Sequence, residues 1–215
     1  MFTNLRETIA SYKARDPAAR TSFEILMLYP GVRAIISHRC ANWFHRKNLK
    51  YIARMISQRS RRTTGIEIHP GATIGKRLVI DHGMGIVIGE TTEIGDDCIL
   101  YQGVTLGGTG KDVGKRHPTI GNNVLIGSGA KVLGPFSVGD NSRIAANSVV
   151  LSAIPQNSTA IGAPARLVKE NGKRVDYATE VDQINVSDPV LFEILALKTE
   201  LDRLSALVEP ADLKK

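Results

Sequence analysis

Aromatic side chains are scarce in this sequence, 5% of 215 residues, which argues against a ring-lined pocket and leaves a core of small branched residues. Cysteine is scarcer still. Cys40 and Cys98 lie far apart and form no Cys-x-x-Cys pair, so neither a disulfide framework nor a zinc knuckle is indicated, and two inert thiols in a reducing compartment are expected. No apolar run reaches membrane-spanning length, and Met1 to Arg20 has no apolar signal segment, so a cytoplasmic location without a membrane partner is expected. Acidic residues are in deficit: 21 against 28 basic ones, with a pI near 9.5. That balance favours anionic partners without choosing among nucleic acid, lipid surface and phosphorylated cofactor. The cluster Arg59, Arg61, Arg62 reads as an anion site or as a solvated helix end. No aromatics interleave with it, so a nucleic-acid surface has no support beyond charge.

The length suits one domain with terminal extensions. Residues 1–62 carry helical periodicity: Phe23, Leu26, Met27, Val32, Ile35, Ile36, Trp43, Phe44, Leu49, Ile52 and Met55 recur at three and four residues, with breaks at Pro17 and Pro30-Gly31. From residue 63 to 168 the period becomes six. Ile68, Ile74, Ile80 and Ile86 are six apart; the frame then slips by two and resumes as Ile88, Ile94, Leu100 and Leu106, and later as Ile120, Ile126, Val132, Val138, Ile144 and Val150. Neither a helix nor an alternating strand has that period. A solenoid does, with three hexads closing one triangular coil and the branched residues stacking into a continuous core. The fold class is therefore mainly β: a left-handed parallel β-helix of hexapeptide repeats between an N-terminal α-helical region and a C-terminal helix.

The glycine-rich, basic segment 107–118 cannot be a coil and is expected as an extruded loop. Residues 169–189 are polar and read as a linker. In 190–209 the residues Val190, Ile194, Leu197, Leu201, Leu204 and Val208 alternate spacings of four and three. This is a short a/d seam, suited either to association with copies of itself or to an ordinary helix packed on its own prism.

A prism filled with aliphatic corners has no deep interior pocket. Its sites must lie on the outer face, walled by the loop or by a neighbouring copy, which makes a homotrimer with clefts between subunits the natural arrangement. His82, in Ile80-Asp-His-Gly-Met-Gly-Ile-Val-Ile-Gly-Glu90, is the provisional chemical centre, although a lone histidine in an apolar run also fits a packed structural role. The segments Glu67-Ile-His-Pro-Gly-Ala-Thr-Ile-Gly75, Asp81-His-Gly-Met-Gly-Ile-Val-Ile-Gly-Glu-Thr91, Val104-Thr-Leu-Gly-Gly-Thr-Gly110 and Arg116-His-Pro118 closely resemble the serine O-acetyltransferases, from about residue 15 to 166.

The resemblance implies acetyl transfer from acetyl-CoA to the hydroxyl of L-serine, giving O-acetylserine for cysteine synthesis, with no metal. A serine hydroxyl is a weak nucleophile until a base takes its proton, and His82 matches the family's general base. Glu67 matches the aspartate that partners that base. It lies fifteen residues from His82, close to one coil, so a direct contact on adjacent turns is expected. Asp16 and Asp81 match the positions that hold the serine ammonium, and Arg116 and His117 those that hold its carboxylate. Gly108, Thr109, Gly127, Ser128 and Ala146 match positions along the CoA groove, and Arg143, Arg166 and Lys169 are expected to face the nucleotide phosphates.

Three alternatives remain at this stage. One is another hexapeptide acyltransferase, acting on a sugar or antibiotic hydroxyl. The second is a β-helical carbonic anhydrase, suggested by His69, His82 and His117, which lacks a His-x4-His pair here. The third is a non-catalytic trimeric scaffold. The chain ends Ala211-Asp-Leu-Lys-Lys215 without the isoleucine through which many of these enzymes dock cysteine synthase, so that complex is not expected. The short helical region favours a trimer over a hexamer.

Overall fold

The computed structural model describes residues 2–110, 113–175 and 189–208; the linker expected beyond residue 175 and the tail Ala211–Lys215 lie outside the described residues. Four helices come first: α1 Phe2–Arg15, α2 Ser22–Leu28, α3 Pro30–Arg46 and α4 Lys50–Thr64. Local chemistry sets their ends. Thr21 accepts the Glu24 N–H at 3.1 Å and caps α2. Pro30 opens α3, where no N–H is missed. α4 closes on Gly65 in the left-handed region, φ 71°. Two features were not legible in the periodicity. Asn48, at φ 60°, turns the chain between α3 and α4, and the last helix runs to Thr64 rather than 62.

Five coils follow. The first holds β1 Glu67–Ile68, β2 Thr73–Ile74 and β3 Val79–Asp81; the second β4 Val87–Ile88, β5 Glu93–Ile94 and β6 Ile99–Tyr101; the third β7 Thr105–Gly107, β8 Thr119–Ile120 and β9 Leu125–Ile126. The fourth holds β10 Lys131–Leu133, β11 Ser137–Val138 and β12 Arg143–Ile144, and the last β13 Val149–Val150 and β14 Ser158–Gly162. Stacking gives three parallel faces: A (β1, β4, β7, β10, β13), B (β2, β5, β8, β11) and C (β3, β6, β9, β12, β14). The hexad residues Ile68, Ile80, Ile88, Leu100, Leu106, Ile126 and Ile144 share one buried core. Each contributes about 1.5–3 kcal/mol by leaving water. The glycines after them stand where no side chain fits, since a Cβ on Gly95 would lie 2.7 Å from the Gly121 backbone.

Register locates the irregularities. Val87 pairs with Thr105, eighteen residues on, the plain repeat. Thr105 pairs with Lys131, twenty-six on, because the loop leaves at the corner between faces A and B. Glu67 pairs with Val87, twenty on. Those two extra residues can be named: Asp81 is opposite Tyr101 and the Met84 carbonyl accepts from Gly103 N–H, so His82 and Gly83 have no counterpart in the next coil. Ile86, read from the spacing as a hexad residue before the slip, is instead the corner residue entering β4, its buried side chain preceding the strand.

The chain does not become a linker at 169. β15 Ala165–Glu170 and β16 Lys173–Arg174 fold back antiparallel on β14. The open edge of a solenoid is a template for another strand, and this hairpin covers it. The last element, α5 Pro189–Val208, is tied to β15 by an ion pair between Glu193 and Arg166. Its seam residues Ile194, Leu197, Leu201 and Leu204 are all exposed, Leu197 by 71%, so the helix does not bury this face on its own prism. No helix among the described residues is long and apolar enough to cross a membrane.

Candidate active site

The two inserted residues put His82 outside the closed backbone column at the corner between faces C and A. It adopts φ 59°, the carbonyl before it accepts from Gly83 N–H at 2.7 Å, and its ring is 75% exposed. Asp81 lies beside it, Nε2 to Oδ1 3.9 Å, beyond hydrogen-bond range. An imidazole this open can take a proton from a bound ligand on either nitrogen.

The same corner continues as a column of small residues. Successive N–H groups of Gly85, Gly103, Gly129 and Asn147 donate to the carbonyls of Gly65, Met84, Gln102 and Ser128. Gly127 lies under Ala146, so close that a Cβ on it would come within 2.6 Å of the Ala146 nitrogen. Gly127 and Ser128 therefore share this edge with His82 two strand spacings away, and Ala146 three, roughly 9 and 14 Å along the axis. Arg143 is opposite Thr159, which is opposite Lys169, so both cations stand on the outer face of C near the far end of that column. Arg166 differs, because Glu193 holds it.

Asp16 follows α1, whose Tyr12 hydroxyl hydrogen-bonds the Ile80 backbone next to Asp81. Its Oδ1 accepts the Ala18 N–H at 2.8 Å and its Oδ2 the Tyr29 hydroxyl at 2.8 Å. Tyr29 feels both Asp16 and Asp81; burial first, then these carboxylates, push its phenol up to about 12, so it stays a donor.

Arg116 and His117 are placed elsewhere. They leave the loop at the corner between faces A and B, one full strand of face A away from His82. The His117 ring lies against Gly89, where any Cβ would overlap it, and the residue is only 9% exposed. Thr91 N–H donates to its Nδ1 at 3.2 Å, so the ring proton belongs on Nε2. Burial, and then Arg116, hold its pKa below the ordinary value. Arg116 donates to Glu90 Oε2 at 2.5 Å, and that pairing holds the Glu90 carboxyl below its usual range. Glu90, Thr91, Glu93, His45 and Lys115 line an open cleft of about 380 Å³ at this corner. Sequence reasoning missed Glu90 and Thr91, since the pairing joins positions twenty-five or twenty-six residues apart. Gly108 and Thr109 begin the same loop, Thr109 reaching towards Gly134 in the next coil.

The direct Glu67–His82 contact expected from their spacing is not formed in the free chain. Glu67 is opposite Val87, a coil here being twenty residues, so fifteen falls short of a full turn, and its carboxylate pairs with Arg54 at 3.5 Å and Arg61 at 3.2 Å. His69, with Nδ1 accepting from Gly71 N–H, lies on the Glu90 side, away from His82. Among the described residues no three such ligands gather around a metal position.

Comparison with known proteins identifies the family. Residues 117–152 match the family described as bacterial transferase hexapeptide, six repeats. The chain is similar to the serine acetyltransferase of Bacillus subtilis, 50% identical over 97% of this chain and 95% of that one. Among solved structures it is similar to the Brucella abortus serine acetyltransferase in complex with coenzyme A, TM-score 0.77 at 43% identity, covering 79% of this chain and 68% of that one. It is also similar to the Neisseria gonorrhoeae serine acetyltransferase in complex with serine, TM-score 0.75 at 36% identity, covering 78% and 69%.

Proposed function

The chain belongs to the serine acetyltransferases, and from that premise we propose that His82 is the general base that moves the acetyl group of acetyl-CoA onto the hydroxyl of L-serine. The enzyme uses acetyl-CoA and serine and forms O-acetylserine and CoA, a step towards cysteine. The observation that carries the assignment of the base is the two-residue insertion, which sets an exposed imidazole at the head of a groove floored by glycine and alanine. The ring takes the hydroxyl proton as the serine oxygen attacks the thioester carbon; the carbon–sulfur bond then breaks, and the imidazolium returns the proton to the departing thiolate. Asp16 and Asp81 grip the ammonium. The pantetheine arm runs along Gly127, Ser128 and Ala146, with Gly108 and Thr109 at the loop root, and Arg143 and Lys169 take the phosphates, Arg166 being held by Glu193.

Arg116 and His117 bind the serine carboxylate from a neighbouring subunit. The separation of the two half-sites on different corners supports this, because a prism edge divides them within one chain. A homotrimer brings such corners together under one rotation, and three parallel copies of the α5 seam add a second contact. Light scattering should give three chain masses; six would contradict the trimer. Two free cysteines, Cys98 buried with its thiol pushed up to about 11 by that burial, suit a cytoplasmic setting. Glu67→Gln tests whether Glu67 partners His82 during turnover: a fall in kcat supports that role, and a parent kcat assigns Glu67 to its ion pairs with Arg54 and Arg61.

The decisive measurement is thiol release from acetyl-CoA with and without L-serine, in the parent and in His82→Ala. Serine-dependent release that falls at least about a hundredfold in the variant is expected. Release with a galactoside or chloramphenicol but not with serine would overturn the substrate, and near-parent activity in His82→Ala would overturn the base.

A further inference from the structure

We propose that Tyr29, supported by Tyr12, is a positioning residue for the substrate's amino group, holding Asp16 at a set place relative to Asp81. The proposal rests on the reading that these two carboxylates grip the ammonium of serine.

Asp16 and Asp81 come from different elements. Asp16 follows α1, and Asp81 ends β3, the outermost strand of face C. As an edge strand, β3 has backbone groups with no coil beneath them. The buried Tyr12 hydroxyl supplies both missing partners at Ile80, accepting its N–H at 2.9 Å and donating to its carbonyl at 3.1 Å. Ile80 is the residue before Asp81. Gly31 of α3 packs so tightly there that a Cβ would come within 2.6 Å of the Ile80 carbonyl and closer still to the Tyr12 hydroxyl. α1 and α3 are thus both referenced to one peptide of the catalytic corner.

The Tyr29 ring then stands edge-on to Tyr12, centroids 5.7 Å apart, with Pro30 behind it opening α3. Its hydroxyl donates to Asp16 Oδ2, while Ala18 N–H takes Oδ1. One donor on each oxygen fixes the rotation of the carboxylate and leaves a lone pair on each for an ammonium. The packing needs only the ring. Among the described residues the hydroxyl has a single partner, Asp16, so a phenylalanine separates fold from function at this position.

The test is Tyr29→Phe in the full-length enzyme, with both Michaelis constants, the thermal midpoint and inhibition by 3-hydroxypropanoate, which is serine without its amino group. Losing a hydrogen bond to a charged acceptor should raise KM for serine about tenfold. KM for acetyl-CoA, the midpoint and the inhibition constant of 3-hydroxypropanoate should hold. An unchanged serine KM overturns the proposal, and so does a rise in the 3-hydroxypropanoate constant equal to that for serine, which would mean a generally loosened site. A parent enzyme that fails to turn serine over sinks the activity itself, this role with it, and is recognised before any substitution is made.

Discussion

Two corners of the same prism use one backbone conformation for opposite ends. At the corner between faces B and C the left-handed position is held in successive coils by Arg77, Asp97, Asn123, Asn141 and Asn157, φ 53° to 62°. Their side chains close the edge: Arg77 grips Asp97 through two nitrogens at 2.7 Å, and Asn123, Asn141 and Asn157 are linked amide to amide at 2.9 and 3.0 Å. At the corner between C and A the equivalent positions are Gly65, Gly85, Gly103 and Gly129, φ 70° to 77°, and then Asn147 at 58°. Asparagine tolerates this region well, as the first corner proves five residues over with only Arg77 and Asp97 differing. The dihedral alone therefore does not demand glycine at the second. Glycine there keeps side chains out, and what remains is a groove leading to His82.

The sharpest separation between the corners is kinetic. His82→Ala should cut serine-dependent turnover by about two orders of magnitude or more, while a change in the amide ladder should leave turnover alone; equal losses would erase the distinction. Next in size is the response to acid, which singles out the third corner, between A and B. Burial holds His38 down to about 4 and lowers His69 and His117 as well. Because their folded pKa values lie below the unfolded value near 6.5, stability is complete above that pH and is lost as pH falls towards 4. His38 alone should cost about 2 kcal/mol by pH 4.5, read as a fall in the urea midpoint that His38→Gln reduces. Asp97, held low by Arg77, begins to contribute only below about 4.

A reciprocal exchange then tests the groove directly. Gly85→Asn places its Cβ 3.7 Å from the nearest atom, Gly103 Cα, an ordinary contact, so the thermal midpoint should stay within a few degrees while KM for acetyl-CoA rises about tenfold. An unchanged KM would mean that the cofactor does not use this edge. The smallest effect is the reverse exchange, Asn141→Gly, which removes two amide bonds and should cost about 1 kcal/mol of stability with both Michaelis constants intact.

Much of this was legible before any coordinates. A branched residue every sixth position has one geometric meaning; the slip of two was visible in the spacing, and the register shows it to be an enlarged corner. Its place was misread by a few residues, because Ile86 continues the count of six although it belongs to the corner. Residues 169–174, the second half of the hairpin Ala165–Glu170 with Lys173–Arg174, read as linker because their pairing depends on a neighbouring edge rather than on their own pattern. Glu90 carried no local signal, since its guanidinium partner arrives from twenty-six residues away.

The sequence by itself determined the period and the core and supplied the candidate site residues, because these follow from side-chain type and spacing along the chain. Only the tertiary structure decided which of them meet. Coil length depends on insertions at the corners: a twenty-residue first coil sets His82 beside Asp81 at one edge while Glu67 pairs with Arg54 and Arg61, and the extruded loop leaves Arg116 and His117 at another. Neighbours in a solenoid are set by stacking register, a sum over every residue in the turn, which no single motif contains.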